Sequence, residues 1–308
     1  MSIIASDNVV ALNLCAALFF VAFGALILIP TPRRAVQIQF GMMTTFMGFW
    51  FSSFILREVV PYSWLNALIN LGLAASIPAP FLIYLISLSY NSKSYKPNWK
   101  WLAPHLVLIS FFLEESLRLN VLTLISNPGE SVRFTGTFVY PGILLHSLLL
   151  FVIAIYKFGR NAIHSRGKTR ASSVLLLLGL LPPILAVGWY IWINPTRYGI
   201  FSGEQAAIGS ILGIFIWTVA IVNCNAFKLR TFSVYEPELP HFVRLTKPIY
   251  GFFYKLTDPA DYEVQDHARK RRLTMSMIAH DYRLGEAMDL PYRERADILV
   301  KIFGKHFK

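Results

Sequence analysis

The run Leu65–Tyr90, LNALINLGLAASIPAPFLIYLISLSY, holds no charged residue in twenty-six positions. About twenty mostly apolar residues suffice for a helix to cross the hydrocarbon core of a bilayer, so this run is long enough to span. The segment after it, Asn91–Lys100 (NSKSYKPNWK), carries three lysines and no acid, and a further apolar run starts at Trp99. That alternation is the pattern of a polytopic membrane protein. The whole chain agrees with it: of 308 residues 55% are hydrophobic and only 15% charged, and mean hydropathy is +0.50. A soluble domain carries more charge and shorter apolar runs.

Seven spans are expected, over Val9–Ile29, Ile38–Leu56, Leu65–Tyr90, Trp99–Leu119, Pro141–Tyr156, Ser173–Ile193 and Ala206–Phe227. The first lacks the basic leader of a secretory signal. The fold class is therefore all-α: a seven-helix transmembrane bundle over residues 1–230, followed by a short cytoplasmic helical tail over 231–308. Loop charges orient it. Arg33 and Arg34, then Lys93, Lys96 and Lys100, then Lys157, Arg160, Arg166, Lys168 and Arg170 mark one side, and none of these loops has an acid. The other side carries Asp7, Glu58, Glu114, Glu115, Glu130 and Glu204. Positive-inside bias places the N-terminus outside and the C-terminus in the cytoplasm. The net charge of +12 reflects these loops and the tail. Cys15 and Cys224 both lie in apolar segments, which excludes a disulfide framework. Pro78, Pro80, Pro104, Pro182 and Pro183 lie inside spans, where each marks a kink packed against neighbours.

The fourth span raises the question of function. Trp101–Leu113 gives thirteen residues, roughly 20 Å of helix and too short to cross. Extending it through EESLRLN brings Glu114 and Glu115 below the interface, with Arg118 at the i,i+4 spacing that pairs it with Glu114. His146 in the fifth span is placed to join them. Ionisable groups at membrane depth are candidates for function, so Glu114, Glu115, Arg118 and His146 form one candidate ligand pocket. The alternative is that the span ends at Leu113 and the acids are solvated. The seventh span has no lysine for a retinal Schiff base, and no protease, hydrolase or metal motif appears. No catalytic residue, metal or cofactor is expected.

The stretches ASIPAPFLIYLISLSY, WKWLAPHLVLISFF and YPGILLHSLLLFVIAIYKFGRNAIHSRGKTRASSVLLLLGLLPPILAVGWYIW resemble the N-terminal seven-helix region of bacterial membrane histidine kinases. The likeness covers about the first 230 residues and rests on prolines, span lengths and loop charges. It implies a sensor bundle whose output lies on the cytoplasmic side.

After Phe227 the composition changes, with fifteen basic and eleven acidic residues to Lys308. FVRLTKPIYGFFYKL suits an inner headgroup surface. Asp266–Met288 reads as a helix with a seam of Ala268, Met275 and Tyr282, and YRERADILVKIFGKHF reads as a second, shorter helix. SMIAHDYR resembles the H box of histidine kinases, which would make His280 the phosphoacceptor and Asp281 its base. The expected proline after it is absent, and only about 28 residues follow, too few for an ATP-binding domain. The basic run Arg269, Lys270, Arg271 and Arg272 suits anionic lipid headgroups. Acids on either side argue against nucleic acid.

The function expected is a membrane sensory receptor that signals through a separate partner. The partners implied are the lipid bilayer, a cytoplasmic kinase or response regulator, and a second copy of the chain. A small-molecule transporter or intramembrane enzyme using the polar pocket of spans four and five is the alternative.

Overall fold

The computed structural model describes residues 7–29, 34–90, 95–125, 134–198, 202–223 and 241–303. Helices account for nearly all of it. They are α1 (Asp7–Leu28), α2 (Ala35–Leu56), α3 (Tyr62–Ser76), α4 (Pro78–Ser89), α5 (Trp99–Leu117), α6 (Val139–His164) and α7 (Gly167–Val187). α7 runs through a π-helical segment, Gly188–Ile193, into the short α8 (Asn194–Tyr198). α9 (Ala206–Asn223), α10 (His241–Thr257), α11 (Pro259–Met288) and α12 (Tyr292–Phe303) complete the chain.

The expected spans are helical over most of their described length, the fourth ending at Leu117 rather than Leu119, and Pro78 breaks the third into α3 and α4 at Ile77. Among the described residues five helices are long and apolar enough to cross a membrane: Asn8–Leu28, Tyr62–Ser89, Val139–His164, Gly167–Ile193 and Gly203–Ile221. The chain is thus a multi-pass, membrane-embedded protein. α2 and α5 are helical but fall short on composition, because α2 carries glutamines, threonines and serines while α5 carries Lys100, His105, Glu114 and Glu115. One non-helical element was not expected. The α5–α6 connection forms an antiparallel hairpin of β1 (Leu122–Leu124) and β2 (Phe134–Gly136), with Thr123 opposite Thr135.

Six helices close a ring in which α1 packs on α2, α2 on α4, α4 on α6, α6 on α7, α7 on α9, and α9 back on α1. α3 braces α2 from outside, and α5 joins mainly through α3. Large apolar side chains point outward, among them Leu18, Phe49, Val107, Leu145 and Leu185, as lipid contact requires. Gln37 starts α2. Its side chain accepts from the Arg34 amide at 2.6 Å and donates to the Ile27 carbonyl of α1 at 3.4 Å.

Small residues set the helix spacing. Gly209 and Gly213 form a Gly-x-x-x-Gly pair on α9, pressed against the proline turn of α7. A Cβ on Gly209 would lie 2.5 Å from the Pro182 carbonyl, and one on Gly213 would lie 2.5 Å from the Gly179 carbonyl. Pro183 has no N–H, so the Gly179 carbonyl lacks its usual helical partner. The Cα hydrogens of Gly213 face it instead, a weak contact typical of close helix crossings. Trp217 locks the same crossing: its indole N–H donates to the Leu176 carbonyl at 2.8 Å, and its ring stacks on Phe40 with centroids 5.9 Å apart.

Gly213→Leu should separate α7 from α9, because the clash is with backbone that cannot give way. Overpacking of this kind costs about 1–3 kcal/mol or more. Gly159→Ala, where an added Cβ meets nothing within 4 Å, should be neutral or slightly stabilising. Thermal unfolding of the detergent-solubilised protein distinguishes the two.

Candidate functional site

A cavity of about 130 Å³ lies inside the ring. Its wall is apolar and comes from α1 to α4, β1, α6, α7 and α9, with Phe20, Trp50, Ile143, Ile214 and Trp217 among its residues. Two of the prolines expected to kink the helices, Pro80 and Pro183, stand on this wall. Ser76, Ile77, Ala79 and Pro80 at the α3–α4 break line it, as do Pro183 and Val187 of α7 and Ile191 of the π-helical segment. The breaks leave backbone carbonyls to be satisfied by other groups, which hydrocarbon does not supply. Ile191, in the π-helical segment, accepts from the buried Tyr140 hydroxyl at 2.5 Å. π-turns recur at functional positions in helices.

One end of the cavity is covered by the α5–α6 hairpin, whose Leu122 lines it. Two asparagines of α3 hold the hairpin. Asn70, fully buried, accepts from the amides of Val121 and Leu122 at 3.3 and 3.0 Å and donates to the Leu122 carbonyl at 2.8 Å. Asn66 accepts from the Leu124 amide at 3.1 Å, and the Ser116 hydroxyl donates to the Asn70 carbonyl at 2.6 Å. A short, twisted hairpin is marginal alone in water; these bonds fix it to the bundle. Arg57 reaches the same end of the cavity. Its guanidinium lies 4.4 Å from the Phe54 ring centroid and 5.8 Å from that of Phe134, with Glu204 and Glu58 acting on its charge.

The residues expected to form a polar pocket are not on this wall. Glu114, Glu115, Arg118 and His146 are all absent from the cavity lining. α5 extends through the acids, and Arg118 pairs with Glu114 at 2.6 Å as the spacing requires. Both side chains are more than half exposed (63% and 56%), so the pair contributes little to stability. Glu115 accepts from the Asn120 amide nitrogen at 3.3 Å. His146 is buried on α6, its Nε2 3.1 Å from Nδ1 of His105 on α5 and its ring against Phe112. His105 precedes Glu114 by nine residues, about 13.5 Å along the helix. The four residues thus divide between two places.

In the tail, α10 packs against α7 and α9 through an aromatic face with Tyr254 buried. A clasp then joins tail and bundle. Asp258 caps α11 by accepting from the Asp261 amide at 3.3 Å, and its other oxygen accepts from the Gly167 amide at 2.8 Å. Gly167 opens α7 at φ +60°, and a Cβ there would lie 2.6 Å from the Asp261 carboxylate. The Tyr254 hydroxyl donates to that carboxylate. The two amide hydrogen bonds hold the Asp258 carboxyl below its ordinary range, helped by Arg170 and Arg166.

The expected phosphoacceptor lies in a helical hairpin of α11 and α12. The His280 ring is half-buried edge-on to Phe303, with centroids 6.0 Å apart, and Asp281 pairs with Arg295 at 3.6 Å. In the basic run, Arg269 and Lys270 each bond Asp266 at 2.8 Å, while Arg271 and Arg272 are exposed. Among the described residues no three His, Cys, Asp or Glu side chains come together as a metal would need. No family model, curated protein or solved structure matches the chain.

Asn70→Ala should release the hairpin, leaving two amides and a carbonyl unpaired at a cost on the order of 3 kcal/mol. Limited proteolysis between β1 and β2 should then run faster than in the unaltered protein. The clasp has a defined pH window. A carboxyl whose folded pKa is depressed adds stability that is fully present above the unfolded value of 3.8 and is lost as pH falls through the folded value. Amide exchange at Gly167 and Asp261 should therefore be protected at neutral pH, lose protection only below that value, and be unprotected throughout in Asp258→Ala.

Proposed function

We propose that this protein is a sensory receptor of the bacterial cell membrane, with seven spans, an external N-terminus and a cytoplasmic tail that hands the signal to a separate partner. The observation that carries the reading is continuity between cavity and tail. α7 and α9 form one wall of the cavity, α10 packs on both, and Asp258 binds the first amide of α7. A stimulus that moves α7 against α9 therefore moves the start of the tail.

Several features support the seven spans and their orientation. α2 turns Gln37, Thr44 and Ser53 inward to buried positions, so its polar content does not meet lipid. α5 turns Val107, Leu108 and Phe111 outward. The basic loops after α1, α4 and α6 fit the cytoplasmic side. The Gly167 loop that grips the tail is one of these, and Arg166 and Arg170 beside it complement Asp258.

The resemblance to the sensor region of histidine kinases points to a kinase or response regulator as partner. On that reading His280 is the phosphoacceptor and Asp281 its base. Phosphorylation then requires α12 to swing off α11, because Phe303 covers the imidazole and Arg295 holds the carboxylate. Arg271 and Arg272, free of the Asp266 pairs, are the part of the basic run available to anionic headgroups.

Two measurements test this. Proteoliposomes holding this protein alone should accumulate no small solute; uptake above that of empty vesicles would establish a transporter instead. Incubation with a candidate kinase and labelled ATP should leave acid-labile phosphate on the unaltered chain and none on His280→Ala. Equal labelling of the two would remove His280 from the account.

A further inference from the structure

We infer that the cavity binds a single-chain neutral amphiphile, an unbranched alkyl chain with a hydroxyl head, and that the head hydrogen-bonds to Ser210. This deepens the receptor reading and rests on it only for what occupancy does to the tail.

Shape selects the chain. The lining residues run from Met43 on α2 to Arg57 just past its end, fourteen residue steps and about 21 Å of helix. A volume of about 130 Å³ drawn out over such a length is a slot one hydrocarbon chain wide, too narrow for fused rings. Its walls are methionine, aliphatic and aromatic side chains, which favour the burial of an alkyl chain.

Ser210 selects the head. It lines the slot, is 3% exposed, and its hydroxyl has no hydrogen-bond partner among the described residues. A buried hydroxyl is ordinarily paired. Thr218, two turns further along α9, shows the usual solution by donating to the Ile214 carbonyl at 2.7 Å. Ser210 makes no such bond to its own helix and is left to a ligand. The head is uncharged because the hydroxyl that receives it is neutral and the wall around it is apolar, where an ion would be poorly solvated. Ser210 follows Glu204 by six residues and lies toward the covered end of the slot, whereas Trp217 lies seven residues beyond it. A chain held at Ser210 therefore runs toward Trp217, Phe20 and Met43.

The test uses tryptophan fluorescence of the full chain in nanodiscs, titrated with ω-bromodecanol, whose bromine quenches indole on contact. Quenching should saturate, be relieved by plain decanol, and diminish in Trp217→Phe. Trp50→Phe serves the same purpose if loss of the Trp217 hydrogen bond prevents folding, since Trp50 lines the same slot. Ser210→Ala should weaken binding about fivefold, the loss expected for one neutral hydrogen bond. Quenching that rises without saturation, or an unchanged affinity in Ser210→Ala, overturns the inference. So does quenching of Trp217 by a phospholipid with brominated acyl chains that decanol does not relieve, because a bilayer chain then fills the slot. Saturable binding that leaves amide exchange in α10 and α11 unchanged contradicts the receptor reading and keeps the site. Absence of binding contradicts the site and leaves the receptor reading standing.

Discussion

The carbonyl of Gly179, deprived of its helical partner by Pro183, rests against the bare Cα of Gly213, and the remaining structure is arranged around that contact. In lipid a freed carbonyl has no water to turn to, so a proline in a spanning helix is tolerated only where a neighbour approaches closely. Glycines at 209 and 213 permit the approach, and Trp217 pins it through the Leu176 carbonyl. Ile191 in the π-turn at Gly188–Ile193 and Ile77 at the α3–α4 break both line the cavity beside it. The same two helices carry α10. Packing, cavity and tail attachment thus share one pair of helices, which gives a change in the cavity a mechanical route to the tail.

The hairpin and the clasp close the two ends of that route. At one end Asn70 spends its whole amide on the hairpin and on its own helix, so the cover over the cavity is held by directional bonds rather than by apolar contact. At the other end the Asp258 carboxylate bridges the first amide of α7 and the start of α11. Hydrogen bonds of this kind are made or lost as a unit, which suits a joint with two discrete positions better than a greasy interface would.

Much of this was legible in the sequence, for reasons that can be traced to residues. Uncharged runs such as Leu65–Tyr90 mark helices because lipid demands length and apolarity together. The prolines at 78, 80, 182 and 183 were readable as helix interruptions, but that Pro80 and Pro183 wall a cavity was not, since an interruption has no address until its neighbour is known. The Glu114–Arg118 pair followed from helical spacing. Its exposure did not, because spacing places two residues on one face without saying which way the face looks. His146 was expected beside those acids and instead meets His105, forty-one positions earlier in the chain, a contact no local pattern encodes. Ser210 and Arg57 carried no signal: one is a common small residue in a spanning helix, and the other resembles an ordinary loop cation. The clasp escaped notice because Asp258 and Gly167 are ninety-one residues apart.

The claim that cavity and tail are coupled through α7 and α9 can be tested without knowing the native ligand. Ser147→Phe fills the cavity from the α6 wall and imitates occupancy. Spin labels at the exposed positions Leu185 on α7 and Val264 on α11, in a background lacking Cys15 and Cys224, report the separation of bundle and tail by pulsed electron resonance. The account predicts a shifted or redistributed distance in the filled variant, reversed towards the original when Asp258→Ala opens the clasp. Identical distance distributions in the filled and unfilled proteins, both folded, would contradict it.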